Sequence, residues 1–98
     1  MKKRTYIEVD YSDLNEEILS FLQEKFPELE IQEYEMVAEQ EWGNDEEHTA
    51  DVKPKLPDQY YMNRMKKGNF SFELFNILDW MCYEGKLEEG DYLISISW

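Results

Sequence analysis

Covalent chemistry would have to start from Cys82 or His48, since the chain holds one cysteine and one histidine. A Cys–His nucleophile needs its base within hydrogen-bond reach, and nothing in the spacing of these two requires that contact. Cys82 falls on the same helical face as Leu78 and Phe75, the position of a buried and unreactive thiol. His48 sits among acids: Asp45, Glu46, Glu47 and Asp51 surround it in sequence. These oxygens could serve Ca²⁺ or Mg²⁺. The EF-hand order is missing, however, because Gly43 precedes the acids instead of lying among them. A divalent-metal-binding module around residues 45–51 therefore stands as an alternative to a solvated loop tip. No carboxylate pair for glycoside hydrolysis stands out from so many glutamates. The four glycines are spread along the chain, so there is no phosphate-cradling loop. The expectation is a non-enzyme with no cofactor and no catalytic residue.

What remains is charge. Residues 28–51 carry ten carboxylates (Glu28, Glu30, Glu33, Glu35, Glu39, Glu41, Asp45, Glu46, Glu47, Asp51) and no Lys or Arg. The flanks are balanced, so most of the formal −13 is concentrated here. A surface that only confers solubility would intersperse both signs. Unrelieved negative charge is a statement about partners: it steers towards Lys and Arg, quickly and in a salt-dependent way. Direct nucleic-acid binding is disfavoured. Arg64, Lys66 and Lys67, beside Tyr60 and Tyr61, could suggest a stacking platform, but three bases do not outweigh the net charge. Pairing with nearby carboxylates or with a helix C-terminus is their expected role.

The elements that display these acids follow from periodicity. Thr5, Ile7, Val9 and Tyr11 alternate with polar residues as in a half-buried strand. Ser12 or Asp13 then caps a helix with the stripe Leu14, Ile18, Phe21, Leu22 and Phe26, stopped by Pro27. Residues 29–42 read as a second strand, with a β-bulge near Gln32 and Glu33 reconciling the phase of Leu29 and Ile31 with that of Tyr34, Met36, Ala38 and Trp42. On that strand Glu28, Glu30, Glu33, Glu35, Glu39 and Glu41 would form a linear array about 7 Å apart. Gly43, Asn44 and Asp45 make a turn, and residues 48–53 return as a short partner strand. Asp58 caps a short helix ending at Gly68. The strongest helix runs from Asn69 or Ser71 to Glu84, and a final strand places Tyr92, Ile94, Ile96 and Trp98 on one face. The order β-α-β-(β)-α-α-β predicts a single acidic α+β domain over residues 1–98. It is a two-layer sandwich in which helices cover one face of a mixed or antiparallel sheet of three to four strands. A ferredoxin-like arrangement is one candidate topology.

The strongest helix offers a second surface. Leu74, Phe75, Leu78, Met81 and Cys82 form its core stripe on a helical wheel. Phe72, Trp80 and Tyr83 fall opposite, among Glu73, Asn76 and Asp79, as aromatic anchors do in an interface. The alternative is a small domain that wraps this helix on both sides. Trp42 joins the anchor candidates, although its phase points to the core.

A 98-residue chain with 42% apolar and 15% aromatic residues is too rich in core-formers to be a disordered acidic tail. The start Met-Lys-Lys-Arg is not followed by an apolar run, so no signal peptide is expected. No segment has membrane-spanning length, and one cysteine fits a reducing, cytoplasmic setting. In size and charge the chain resembles small acidic phage-type inhibitors: nucleic-acid mimics, anti-CRISPR and anti-restriction proteins. That resemblance implies a protein, monomeric or homodimeric, that acts in the host cytoplasm. It would occupy the basic surface of a nucleic-acid-binding enzyme through Glu28, Glu30, Glu33, Glu35, Glu39, Glu41, Asp45, Glu46 and Glu47, with Trp42, Glu73, Asp79, Trp80 and Tyr83. An antitoxin or immunity-type protein that neutralises a basic nuclease is the other protein-pairing alternative.

Overall fold

The computed structural model describes residues 5–98. The N-terminal Met-Lys-Lys-Arg, on which the signal-peptide expectation rests, lies outside them. The elements in order are β1 (Ile7–Asp10), α1 (Tyr11–Lys25), a 3-10 turn (Pro27–Leu29), α2 (Met36–Glu39), β2 (Glu47–Val52), α3 (Gln59–Lys66), α4 (Leu74–Tyr83) and β3 (Gly90–Ser95). They form an α+β fold with a mixed three-stranded sheet, order β1-β3-β2, and helices on one face. β3 runs parallel to β1 and antiparallel to β2. The described residues have three strands, so the four-stranded ferredoxin-like arrangement is not formed.

β3 sends Tyr92 and Ile94 into the core, where Ala50 and Val52 of β2 join them, and Ile96, just past the strand, is buried as well. Leu14, Ile18, Phe21 and Leu22 of α1 cover this side, at the 3.6-residue spacing that puts them on one stripe. The helix starts earlier than Ser12 or Asp13 would have it. Asp10, the last residue of β1, is the N-cap, so strand passes into helix without a loop. Its carboxylate accepts from Ser12 Oγ (3.1 Å) and caps no backbone N–H.

The second strand expected over residues 29–42 does not exist. After the 3-10 turn the chain runs extended but unpaired, then closes one turn of helix at Met36–Glu39. The alternation of Tyr34 and Met36 is real, and both side chains are buried. A strand also needs a neighbour for its backbone, and here a side chain takes that place. Asn15 of α1 donates through Nδ2 to the Tyr34 carbonyl and accepts the Met36 N–H at Oδ1 (2.8 Å). Residues 48–53 do return as a strand, but it pairs with β3.

Asp58 caps α3 as expected, its Oδ1 accepting from the Tyr61 N–H (3.3 Å), and Gly68 ends the helix at φ +82°. α4 begins later than expected, at Leu74, because residues 70–73 form a turn in which Phe72 is left-handed (φ +62°). Phe75, expected in the core, is exposed, while Trp80, expected as an interface anchor, is buried. The cause is α1, which lies against that side. Trp80 meets Phe21 edge-on at 5.0 Å and Phe26 at 5.8 Å. Wrapping of α4 on two sides is therefore what the fold does.

Glu73 is also withdrawn from solvent, with 2% exposure. Its Oε1 lies 3.0 Å from Arg64 Nε, an ion pair outside hydrogen-bond angles, and its Oε2 accepts from Asn76 Nδ2 (3.1 Å). Arg64 is thus committed internally, as the sequence suggests. Arg64→Met should leave a buried carboxylate with one neutral donor and destabilise the fold, by less than the loss of a fully buried pair because Arg64 keeps some solvent. Urea unfolding would check this. The double variant Arg64→Met/Glu73→Leu should recover most of the loss.

Candidate acidic interaction surfaces

The first surface is a strap over residues 28–41, laid across α1. Asn15 fixes its middle, and Gln23 Nε2 holds the Ile31 carbonyl at 2.8 Å. Glu28, Glu30, Glu33, Glu35 and Glu41 are exposed and Glu39 is half-buried. Without a strand they form no linear array, and the 7 Å periodicity expected for them is absent. What fixes them instead is local backbone geometry. Glu30 closes the 3-10 turn in the left-handed region (φ +51°). Glu41 (φ +58°) sits just past the end of α2, where its N–H donates to the Ala38 carbonyl (3.3 Å) and the Trp42 N–H to the Val37 carbonyl (2.8 Å). This is a Schellman motif, built at the C-termini of α3 and α4 on Gly68 and Gly85 but here on a glutamate.

The strap buries one awkward group. Tyr34 is 3% exposed and its Oη has no protein partner. Burial, then the charges of Glu39 and Glu73, push its pKa well above the ordinary tyrosine range.

The turn that follows is tied to β3. The Asp45 N–H donates to the Ile96 carbonyl and the Ile96 N–H to the Glu46 carbonyl, both at 2.9 Å. Two residues therefore oppose one, with Asp45 left-handed (φ +64°) in the place where a G1 bulge has glycine. A bulge exists, but here and not at Gln32 and Glu33. Glu46 accepts from the Gly43 N–H and lies 2.8 Å from His48 Nε2. These bonds, the Gly43 one first, hold its carboxyl below the usual range. His48 stacks face to face on Trp42 at 3.9 Å, which leaves Trp42 half-buried. Trp42 is therefore a brace for the turn. Among the described residues no three His, Cys, Asp or Glu side chains converge as a metal site would require.

The second surface was not legible as one stretch. Cross-strand register puts Asp10, Ser95 and Glu47 in one row, Glu8, Leu93 and Thr49 in the next, and Asp91 opposite Asp51 in a third. These residues alternate with the buried set of β2 and β3, so they lie on the sheet face away from the helices. Leu93 and Asp91 are half-buried and the other six are exposed. Five carboxylates thus share the open face. Only Glu47 and Asp51 belong to residues 28–51, whereas Glu8, Asp10 and Asp91 come from segments whose regional charge is balanced. The out-of-phase positions of β1 and the turn before β3 were the available signal.

The α4 surface is reduced by the burial of Trp80 and Glu73. Tyr83 is exposed, with Phe72 and Phe75. Asp79 accepts from the Lys53 N–H (3.2 Å) and its carbonyl from the Lys55 N–H (3.2 Å), so it fastens the proline-containing connector; burial raises its pKa. The half-buried Cys82 thiol is likewise pushed up, first by burial and then by Glu89 and Asp79, the wrong direction for a nucleophile. Among the described residues no helix is long and apolar enough to cross a membrane. No protein-family model matches the chain, and neither the curated proteins nor the solved structures contain a significant match.

Two consequences can be measured. Glu41→Gly should stabilise the protein by about 1 kcal/mol, because glycine adopts the left-handed cap without the Cβ penalty, and a higher thermal midpoint would show it. Tyr34→Phe should gain roughly 1 kcal/mol at neutral pH by removing a buried hydroxyl without a partner. The folded pKa of Tyr34 lies above its unfolded value. The stability linked to the neutral phenol is therefore complete below about pH 10 and is lost as pH rises towards the folded value. The variant should lose less stability than the parent between about pH 8 and pH 11, as read by urea midpoints.

Proposed function

We propose that this protein is a non-enzymatic acidic inhibitor that occupies a basic, nucleic-acid-binding surface of a target protein, acting in the cytoplasm of the cell that contains the target. The observation that carries this reading is the display of acids without compensating bases. All ten carboxylates of residues 28–51 reach solvent at least in part, and Lys53 beside Asp51 (3.6 Å) is the one Lys or Arg paired with any of them among the described residues. Three of these residues, Glu30, Glu41 and Asp45, hold left-handed backbone where glycine would cost less. A lysine- or arginine-lined groove would meet a mimic of a phosphate backbone, with fast encounter and strong salt dependence. Tyr83, Phe72 and Phe75 are exposed aromatic side chains that a protein partner could cover. The proposed class is that of nucleic-acid mimics directed against restriction or CRISPR-type enzymes.

Affinity capture from a lysate at low and high salt, with the bound proteins identified by mass spectrometry, tests the reading. One basic nucleic-acid enzyme should be retained at low salt, released at high salt and displaced by DNA or RNA. Addition of the protein should inhibit that enzyme. Retention that survives both salt and nucleic acid would overturn mimicry, and recovery of a cognate toxin nuclease would make the protein an antitoxin.

A further inference from the structure

The open face of the sheet, more than the strap, is where we infer that the basic partner docks; this rests on the inhibitor reading and names its contact surface. The helices lie on one side of the sheet, and the opposite side of β1, β3 and β2 carries Glu8, Asp10, Glu47, Asp51 and Asp91. Backbone ladders fix the spacing: strands sit about 4.8 Å apart and same-face residues on a strand about 7 Å apart. Charges held by a paired sheet are preorganised, and their partner need not order them on binding. The strap has no such ladder: short turns of backbone bonds hold its two ends, and the Asn15 and Gln23 side chains alone hold the stretch between them.

Among the described residues the charge on this face is relieved at one point, where Lys53 lies 3.6 Å from Asp51. Asp51 stands directly opposite Asp91, and Ser95 alone separates Asp10 from Glu47 across the sheet. Like charges opposite each other destabilise a sheet, and Lys53 is the one described Lys or Arg paired with an acid of this face. A surface of Lys and Arg would lift that repulsion, and its gain on binding is larger for that reason. Half-buried Leu93 with Thr49 and Ser95 forms a weakly polar centre inside the carboxylate rim, the arrangement of an interface patch. A second copy of the chain would bring like charge against like and is excluded as the occupant. Free nucleic acid is excluded on the same ground.

An oligo-arginine peptide serves as the probe, titrated into isotope-labelled protein and followed by amide chemical shifts at low and at about 150 mM salt. Shifts should concentrate at residues 8–10, 47–51 and 91–95. The reversal Glu8→Lys/Glu47→Lys/Asp51→Lys should weaken peptide binding by about tenfold or more, while Glu28→Lys/Glu30→Lys/Glu33→Lys changes it by less than about threefold. The first variant should melt no lower than the parent, since it relieves repulsion, which separates lost binding from lost folding. Equal losses in the two variants, or a larger loss in the strap variant, would overturn the sheet-face assignment and leave the inhibitor reading standing. Failure of the parent to bind the peptide even at low salt would overturn both.

Discussion

β3 is hydrogen-bonded along both edges, to β1 in parallel and to β2 in antiparallel register, and its inward residues Tyr92 and Ile94 lie at the middle of the core. Neither pairing is a hairpin. β1 and β3 come from opposite ends of the chain, so every other element lies within a crossover that must close before the sheet exists. The helices fill that crossover and cover one face of the sheet. Among the described residues no helix covers the other. An exposed sheet face is therefore a consequence of the topology, and the polar phase of each strand decides its character. Here that phase reads Glu8 and Asp10 on β1, Glu47 and Asp51 on β2 and Asp91 on β3.

The strap follows a different constraint. Residues 28–41 bury Tyr34 and Met36, so they must run over the core, yet their backbone pairs with neither of the sheet's edge strands, β1 and β2. Asn15 resolves this locally by bonding both the Tyr34 carbonyl and the Met36 N–H from one turn of α1. One amide side chain does the work of a strand edge, and the acids on the outer side of the strap stay in water. The cost is concentrated at a few points: a phenol without a protein partner and three acidic residues in left-handed backbone, Glu30, Glu41 and Asp45.

Most of the architecture was legible because its signals are local. The stripe of α1, the Asp58 cap, the stops at Gly68 and Gly85 and the alternation of Tyr92, Ile94 and Ile96 each follow from a few neighbouring residues and stand in the structure, although the last strand ends at Ser95 and Trp98, expected on the same face, is exposed. The strand over residues 29–42 failed for a non-local reason. Alternation of Tyr34 with Met36 shows which side chains are buried, but pairing depends on a neighbour that no local pattern names. The α4 wheel failed in a similar way. Its helical period held, and Leu74, Leu78 and Met81 are buried as expected, yet which arc was inward depended on α1 arriving beside Trp80, so the buried stripe takes in Ile77 and Trp80 and leaves Phe75 exposed.

The candidate surface shows the same division between local and non-local information. A sum of charge along the chain finds residues 28–51 because acids there are contiguous, and it overlooks Glu8, Asp10 and Asp91 because bases near them in sequence cancel the total. Electrostatic interaction falls off with distance in space, so the sum that matters is over a face. Register converts one into the other: Asp10 and Glu47 are far apart in the chain but share a row through Ser95. Two acidic surfaces arise by different means, one from composition and one from pairing. Composition makes a charged segment that any partner cation can approach in many geometries. Pairing makes a fixed lattice of charge, in which each carboxylate's neighbours are set by the ladder, and such a lattice can discriminate between cationic surfaces by their spacing as well as by their sign.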